Sequence, residues 1–179
     1  MDSMAFHREA LDVSQHVIDA VDRSQFELPT PCDEWNVRQL LEHMIGGNRR
    51  IAGDPPADGE DLIGDDLSGA YAAAAAEAAA TFEAPGGLDR TFKLSFGEVP
   101  GQLAVVARAT DQLAHSWDLA KATGMSTDLS PAMYATGLEV LQQRFAKFGR
   151  NPATYADEQQ PDVGASAADR FAAFAGRRT

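Results

Sequence analysis

Apolar positions recur at helical spacing along most of the chain and at strand spacing in one short stretch. Over Met4 to Ser24, Phe6, Val13, Val17 and Val21 fall on one side with Ile18 alongside, and charged residues lie opposite. This predicts a first helix over 4–24. Phe26 to Pro31 breaks the pattern, because Pro29 and Pro31 forbid regular helix and force an extended connection. Asn36 is a good N-cap, and Gln39 three residues on completes a capping-box sequence. A second helix is expected from about Val37 to about Ile51. It would bury Leu40, Leu41, Met44 and Ile45, with Trp35 stapling its entry.

Gly53 to Gly64 is rich in Pro, Asp and Gly and reads as an acidic loop. Leu67 to Phe82 is dominated by alanine, which favours helix strongly. Its small side chains would let another helix, or a second subunit in a homodimer, approach closely. Pro85-Gly86-Gly87 ends it. Phe92, Leu94 and Phe96 alternate within Arg90 to Val99, which suggests a short hairpin or extended arm. Pro100-Gly101 then opens a long helix, roughly Gln102 to Ala122, closed by Gly124. Ser130-Pro131 is an N-cap followed by proline at the first helical position, opening a helix to about Phe148. After a loop near Asn151 to Val163, Ala167 to Ala175 forms a short last helix. There is no internal repeat. The expected fold is all-α, one domain over residues 1–179. It is an antiparallel four-helix bundle with a short β-like arm and a short C-terminal helix.

Composition narrows the function classes. At 179 residues, 44% apolar and 23% charged, the chain suits one soluble domain with a sizeable core. No stretch approaches the roughly 20 apolar residues that cross a bilayer. The acidic, amphipathic start is unlike a signal peptide, so the cytoplasm is the expected compartment. A net charge of −12 repels phosphate backbones and anionic lipid, so neither nucleic acid nor membrane is an expected partner. Cys32 is the only cysteine, which excludes an intrachain disulfide and a thiolate cluster. Asp33 and Glu34 beside it would raise its pKa, so it reads as a packing residue of the turn. No Gly-x-Ser-x-Gly elbow, Gly-x-Gly-x-x-Gly run or Walker-type loop occurs, which argues against a serine hydrolase or a nucleotide binder.

Any metal must therefore be held by His, Asp, Glu and water, and one constellation fits. Asp111 and His115 stand four residues apart in a strongly helical segment, so both aim from one helix face at a single point. His43 would come from the second helix. Two nitrogens and one carboxylate make a three-ligand site that leaves room for water or substrate. Leu103, Val106, Thr110, Leu113, Ala114 and Trp117 form the apolar face of the long helix, with Asp111 and His115 at its border. Asp118 shares that flank and would orient a ligand without itself binding metal. Arg49 and Arg50 follow His43 by about two helical turns and would suit a substrate carboxylate. They fit the surface of an acidic protein equally well. Spacing alone does not separate a ligand pair from an exposed Asp/His pair. His7 and His16 read as non-ligands.

Two segments carry a family resemblance. Pro29-Thr-Pro-Cys-Asp-Glu-Trp35-Asn-Val-Arg-Gln-Leu-Leu-Glu-His43-Met-Ile-Gly-Gly-Asn-Arg-Arg50 resembles the N-terminal signature of the actinobacterial DinB-like, mycothiol-dependent maleylpyruvate isomerase superfamily. Asp111-Gln-Leu-Ala-His115-Ser-Trp-Asp-Leu-Ala-Lys-Ala-Thr-Gly124 resembles its second signature. Ala168-Asp-Arg-Phe-Ala-Ala-Phe-Ala-Gly-Arg177 is similar to the tail of a short subfamily. The resemblance implies a DinB/YfiT-like bundle with one divalent metal, usually zinc, with nickel or iron as alternatives. It also implies mycothiol as a cosubstrate. It gives the ligand positions as His43, Asp111 and His115. In the isomerase the second position is Glu. Asp111 is one methylene shorter, so its helix must approach closer or a water must intervene. The chain is expected to lack the separate C-terminal domain of the full isomerase.

The chemistry implied is that of a metal-dependent, thiol-dependent transferase or isomerase acting on a small electrophile. The alternative is a non-catalytic bundle that binds metal or another ligand for sensing.

Overall fold

The computed structural model describes residues 2–32, 35–94, 97–152 and 154–179. The chain forms α1 (Ser3–Ile18), α2 (Val37–Ala52), α3 (Leu67–Glu83), β1 (Thr91–Leu94), β2 (Gly97–Pro100), α4 (Gly101–Thr123), α5 (Pro131–Phe148) and α6 (Ala167–Phe174). Single 3-10 turns lie at Arg23–Gln25 and Gly87–Asp89. The strands pair antiparallel, Phe92 opposite Val99, and deliver the chain directly into α4. Phe96, the third residue of the expected alternation, lies outside the described residues, as do Asp33 and Glu34 beside Cys32. No helix among the described residues is long and apolar enough to cross a membrane.

The bundle is organised around α4, which packs against α1, α2, α5 and α6. Here the structure corrects the simple two-faced reading of that helix. From Gln112 to Ala120 every side chain is buried, polar ones included. A helix stretch enclosed on all sides must satisfy its polar groups internally, and Gln112 and Ser116 do so. The Gln112 Oε1 accepts from Tyr71 Oη at 3.0 Å and from Ser14 Oγ at 3.1 Å. Its Nε2 donates to Asn48 Oδ1 at 2.9 Å. Ser14 and Ser116 hydroxyls meet at 2.8 Å.

The first helix ends earlier than its apolar spacing suggests, at Ile18 rather than Ser24. The Asp22 carboxylate accepts from the backbone and hydroxyl of Ser24 and caps a separate 3-10 turn. Local side-chain bonds of this kind compete with helix continuation. Asp19 is drawn aside to Ser68 Oγ at 2.7 Å, which ties the end of α1 to the start of α3. The capping box of α2 forms in full between Asn36 and Gln39. Ser130 occupies the N-cap of α5 but makes no side-chain capping bond.

The alanine-rich face of α3 is used within the chain. Ala74, Ala75 and Ala78 are buried where α3 meets α1 and α2. Close approach recurs between α4 and α5, where a Cβ on Gly137 would sit 2.9 Å from Leu113 Cδ1. The last helix is fastened by Asp169, whose Oδ1 accepts from Trp117 Nε1 and Thr127 Oγ1, both at 2.9 Å.

Candidate metal centre

The cleft between α2 and α4 brings together His43, Asp111 and His115. The capping box fixes where α2 begins, and Leu40, Leu41, Met44 and Ile45 pin it to the core. His43 is left at the cleft edge, stacked on Trp35 with ring centroids 4.4 Å apart. Trp35, just before α2 begins, thus covers an imidazole. On α4, Asp111 and His115 are one turn apart and face the same point.

One donor atom from each of the three lies within 4.8 Å of the others, and among the described residues this is the grouping with metal-ligand character. The Nε2 of His43 is 3.7 Å from Asp111 Oδ2, and that of His115 is 3.5 Å from Asp111 Oδ1. Those contacts are too long to be good hydrogen bonds. A tetrahedral ion with bonds of about 2.0–2.1 Å holds its donors roughly 3.3 Å apart. The spacing is therefore close to what an ion needs and poor for direct bonding. The His43 Nε2 is buried without a hydrogen-bond partner. A buried, unsatisfied nitrogen beside a carboxylate and a second imidazole fits a divalent cation as the missing partner.

His115 and Asp111 are each held from behind. His115 Nδ1 lies 3.1 Å from Asp118 Oδ2, so Asp118 meets the ring at the nitrogen other than the one near Asp111. Arg177, on the segment after α6, donates to both Asp118 oxygens at 3.2 and 2.9 Å. Asp111 Oδ2 accepts from Arg108 Nη1 at 2.6 Å. Arg108 Nη2 reaches Asn48 Oδ1 at 3.0 Å. The guanidinium lies on the α2 backbone at Gly47, where a Cβ would come within 2.6–2.8 Å of its terminal atoms.

Electrostatics separates the two imidazoles. Burial lowers the His43 pKa, and the Asp111 carboxylate only partly opposes it. At His115 burial also acts downward, but Asp111 and then Asp118 outweigh it and hold the pKa above its ordinary value. Asp111 is pushed upward by burial, yet His115 and Arg108 hold it well below the ordinary carboxylate range. Asp118 is likewise kept low, against burial, by His115 and Arg177.

The remaining sequence candidates lie outside the three-ligand grouping. Arg49 is paired with Asp54 at 2.6 Å and with Glu60. Arg50 is exposed. His7 is buried and His16 exposed, and neither belongs to the three-ligand grouping. Sequence reasoning missed Arg108 and Arg177. The first carried a signal, since Arg108 and Asp111 are one turn apart. The second carried none, because no local spacing links residue 177 to residue 118.

Comparisons with known proteins agree with this architecture. Residues 7–85 match the sequence model of the mycothiol maleylpyruvate isomerase N-terminal domain, a span that includes His43 and stops before Asp111. The crystal structure of the mycothiol-dependent maleylpyruvate isomerase superposes with a TM-score of 0.60 at 14% identity, covering 82% of this chain and 71% of that one. At that identity the likeness concerns the fold, the DinB-like helical bundle. The uncharacterised proteins MT0763 and Rv0738, from two strains of Mycobacterium tuberculosis, are each 40% identical over 184 residues, covering 99% of this chain and 98% of theirs. With a family match that takes in the first signature and similarity to relatives along their whole length, the chain belongs to the mycothiol maleylpyruvate isomerase N-terminal domain family.

Proposed function

We propose that this protein is a divalent-metal-dependent enzyme that uses a low-molecular-weight thiol, mycothiol by family, to transfer to or isomerise a small electrophilic molecule. The observation that carries the reading is the orphaned His43 Nε2, buried where Asp111 and His115 converge. His43, Asp111 and His115 would hold the ion. Two imidazoles and one carboxylate suit zinc best and would also accept nickel or iron. Lewis acidity at that point would lower the pKa of a thiol or water toward neutrality.

The chain's own residues prepare the site for an anion. Arg108 balances the charge of Asp111, and Arg177 balances Asp118. The charge of a bound dication is therefore left uncancelled by its surroundings, which favours a thiolate or carboxylate in the cleft. Trp35 shields one face of His43 from water. Of the two arginines expected for a substrate carboxylate, Arg49 is engaged by Asp54 and Glu60, so the role is proposed for Arg50 alone.

The test is elemental analysis of gently purified protein beside a His43→Ala variant, followed by assays with a thiol and activated electrophiles. One metal per chain is expected, lost in His43→Ala, with thiol transfer abolished in His115→Ala. Equal metal content in wild type and variant would overturn the reading. One observation favours a second reading, a non-catalytic metal-binding bundle: Arg108 already occupies one Asp111 oxygen. Stoichiometric metal without thiol transfer would select it.

A further inference from the structure

The closing segment of the chain reaches into the support of the metal centre. We propose that Arg177 is a positioning residue: it pins Asp118, and Asp118 fixes the His115 ring so that Nε2 faces His43 and Asp111. The inference rests on the metal-centre reading above and extends it to a part of the molecule remote in sequence.

Three observations carry it. First, the Arg177 guanidinium grips Asp118 through two nitrogens, Nε to Oδ1 at 3.2 Å and Nη2 to Oδ2 at 2.9 Å. Such two-point contacts fix a carboxylate in orientation as well as place. Second, the Asp118 side chain is wholly buried and that of Arg177 is 12% exposed. A buried carboxylate that loses its cation is left uncompensated, so the pair acts as a unit. Third, the backbone is shaped to deliver Arg177. Its amide donates to Ala172 O at 2.9 Å, closing the end of α6. Gly176 takes a φ of 98°, and a Cβ there would lie 2.7 Å from Ala156 O. Only glycine fits that turn. Asp118 then accepts from His115 Nδ1 at 3.1 Å, which leaves the Nε2 lone pair for the cleft. Carboxylates that hold metal-bound histidines in this way typically matter 10–100-fold for affinity.

The experiment compares wild type with Arg177→Met, Arg177→Lys and Arg150→Met. Arg150 also ties the α6 region, through Phe174 O at 2.8 Å and Ala156 O at 2.9 Å, without touching Asp118. Zinc dissociation constants come from chelator competition. The His115 tautomer is read from imidazole nitrogen shifts in metal-free protein in alkaline buffer. Arg177→Met is expected to weaken zinc by about 10–100-fold and to mix the tautomers. Arg177→Lys, which keeps the charge and loses the fork, should fall between, and it carries the test if Arg177→Met does not fold. Arg150→Met should leave both readouts unchanged. Unchanged zinc affinity and tautomer in the Arg177 variants would overturn the proposal, as would an equal effect of Arg150→Met. If wild type binds no zinc, the metal-centre reading fails, and the tautomer still decides whether Arg177 sets His115.

Discussion

Two buried histidines, one on α1 and one on α4, differ in what surrounds them. His115, 5% exposed, has Asp118 at one ring nitrogen and Asp111 near the other. His7, fully buried on α1, has no hydrogen-bond partner at either nitrogen and meets Phe82 edge to face at 5.2 Å. Burial is nearly the same, yet the consequences are opposite. Carboxylates hold the His115 pKa above its ordinary value. At His7 burial, aided by the charge of Arg108 and only partly opposed by Glu83, lowers the pKa from 6.5 to about 4. Burial does not mark a ligand; what surrounds the ring does. Arg108 stands between the two regions, neutralising Asp111 on one side and disfavouring charge on His7 on the other.

The sharpest way to test this contrast is acid. His7 is neutral in the folded protein down to about pH 4, whereas the unfolded chain takes up the proton near pH 6.5. Its proton-linked penalty on folding is therefore absent above about pH 6.5, grows as pH falls toward about 4 and is constant below. The shift corresponds to about 3 kcal/mol. Urea unfolding of wild type and His7→Leu between pH 7 and pH 4 should show this difference. The variant should lack that part of the acid loss while keeping its metal content. A leucine removes two unsatisfied nitrogens, so stability at neutral pH should hold or rise. Identical acid sensitivity in the two proteins would break the comparison, and so would loss of metal in His7→Leu.

The contrast also explains what was legible in the sequence. The grouping of His43, Asp111 and His115, with Asp118 against His115, is legible as far as local periodicity and caps determine which way each points along its own helix. The helices from Val37 to Ala52 and from Pro131 to Phe148 follow their caps and breakers closely. The overrun of α1 arose because Val21 continues the apolar spacing while Asp22 offers a better local bond to Ser24. The burial of α4 on all sides was illegible for a related reason. Ser14, Tyr71 and Asn48 make Gln112 and Ser116 acceptable inside, and they come from three other helices. Arg177 shows the same limit, since its partner is distant in sequence and its effect depends on how the segment after α6 turns back.

A smaller and more specific effect is expected at Gly47, beneath the arginine that joins the two regions. Gly47 lies inside α2, and the guanidinium of Arg108 is the neighbour that packs against it. A Cβ on Gly47 would lie 2.6 Å from Arg108 Nη1 and 2.8 Å from Cζ. The guanidinium is the end of a flexible chain, but its bonds to Asp111 and Asn48 resist a shift. Overpacking of this kind costs about 1–3 kcal/mol. Against it stands a helix-propensity gain of about 1 kcal/mol for replacing an interior glycine with alanine. Gly47→Ala should therefore destabilise wild type by about 1 kcal/mol net. In an Arg108→Ala background the clash is absent and only the propensity gain remains. The same substitution should then stabilise by about 1 kcal/mol, a reversal of sign that a double-mutant cycle detects. If Gly47→Ala has the same sign in both backgrounds, Arg108 does not rest on the α2 backbone, and its place between the two histidine environments must be redrawn.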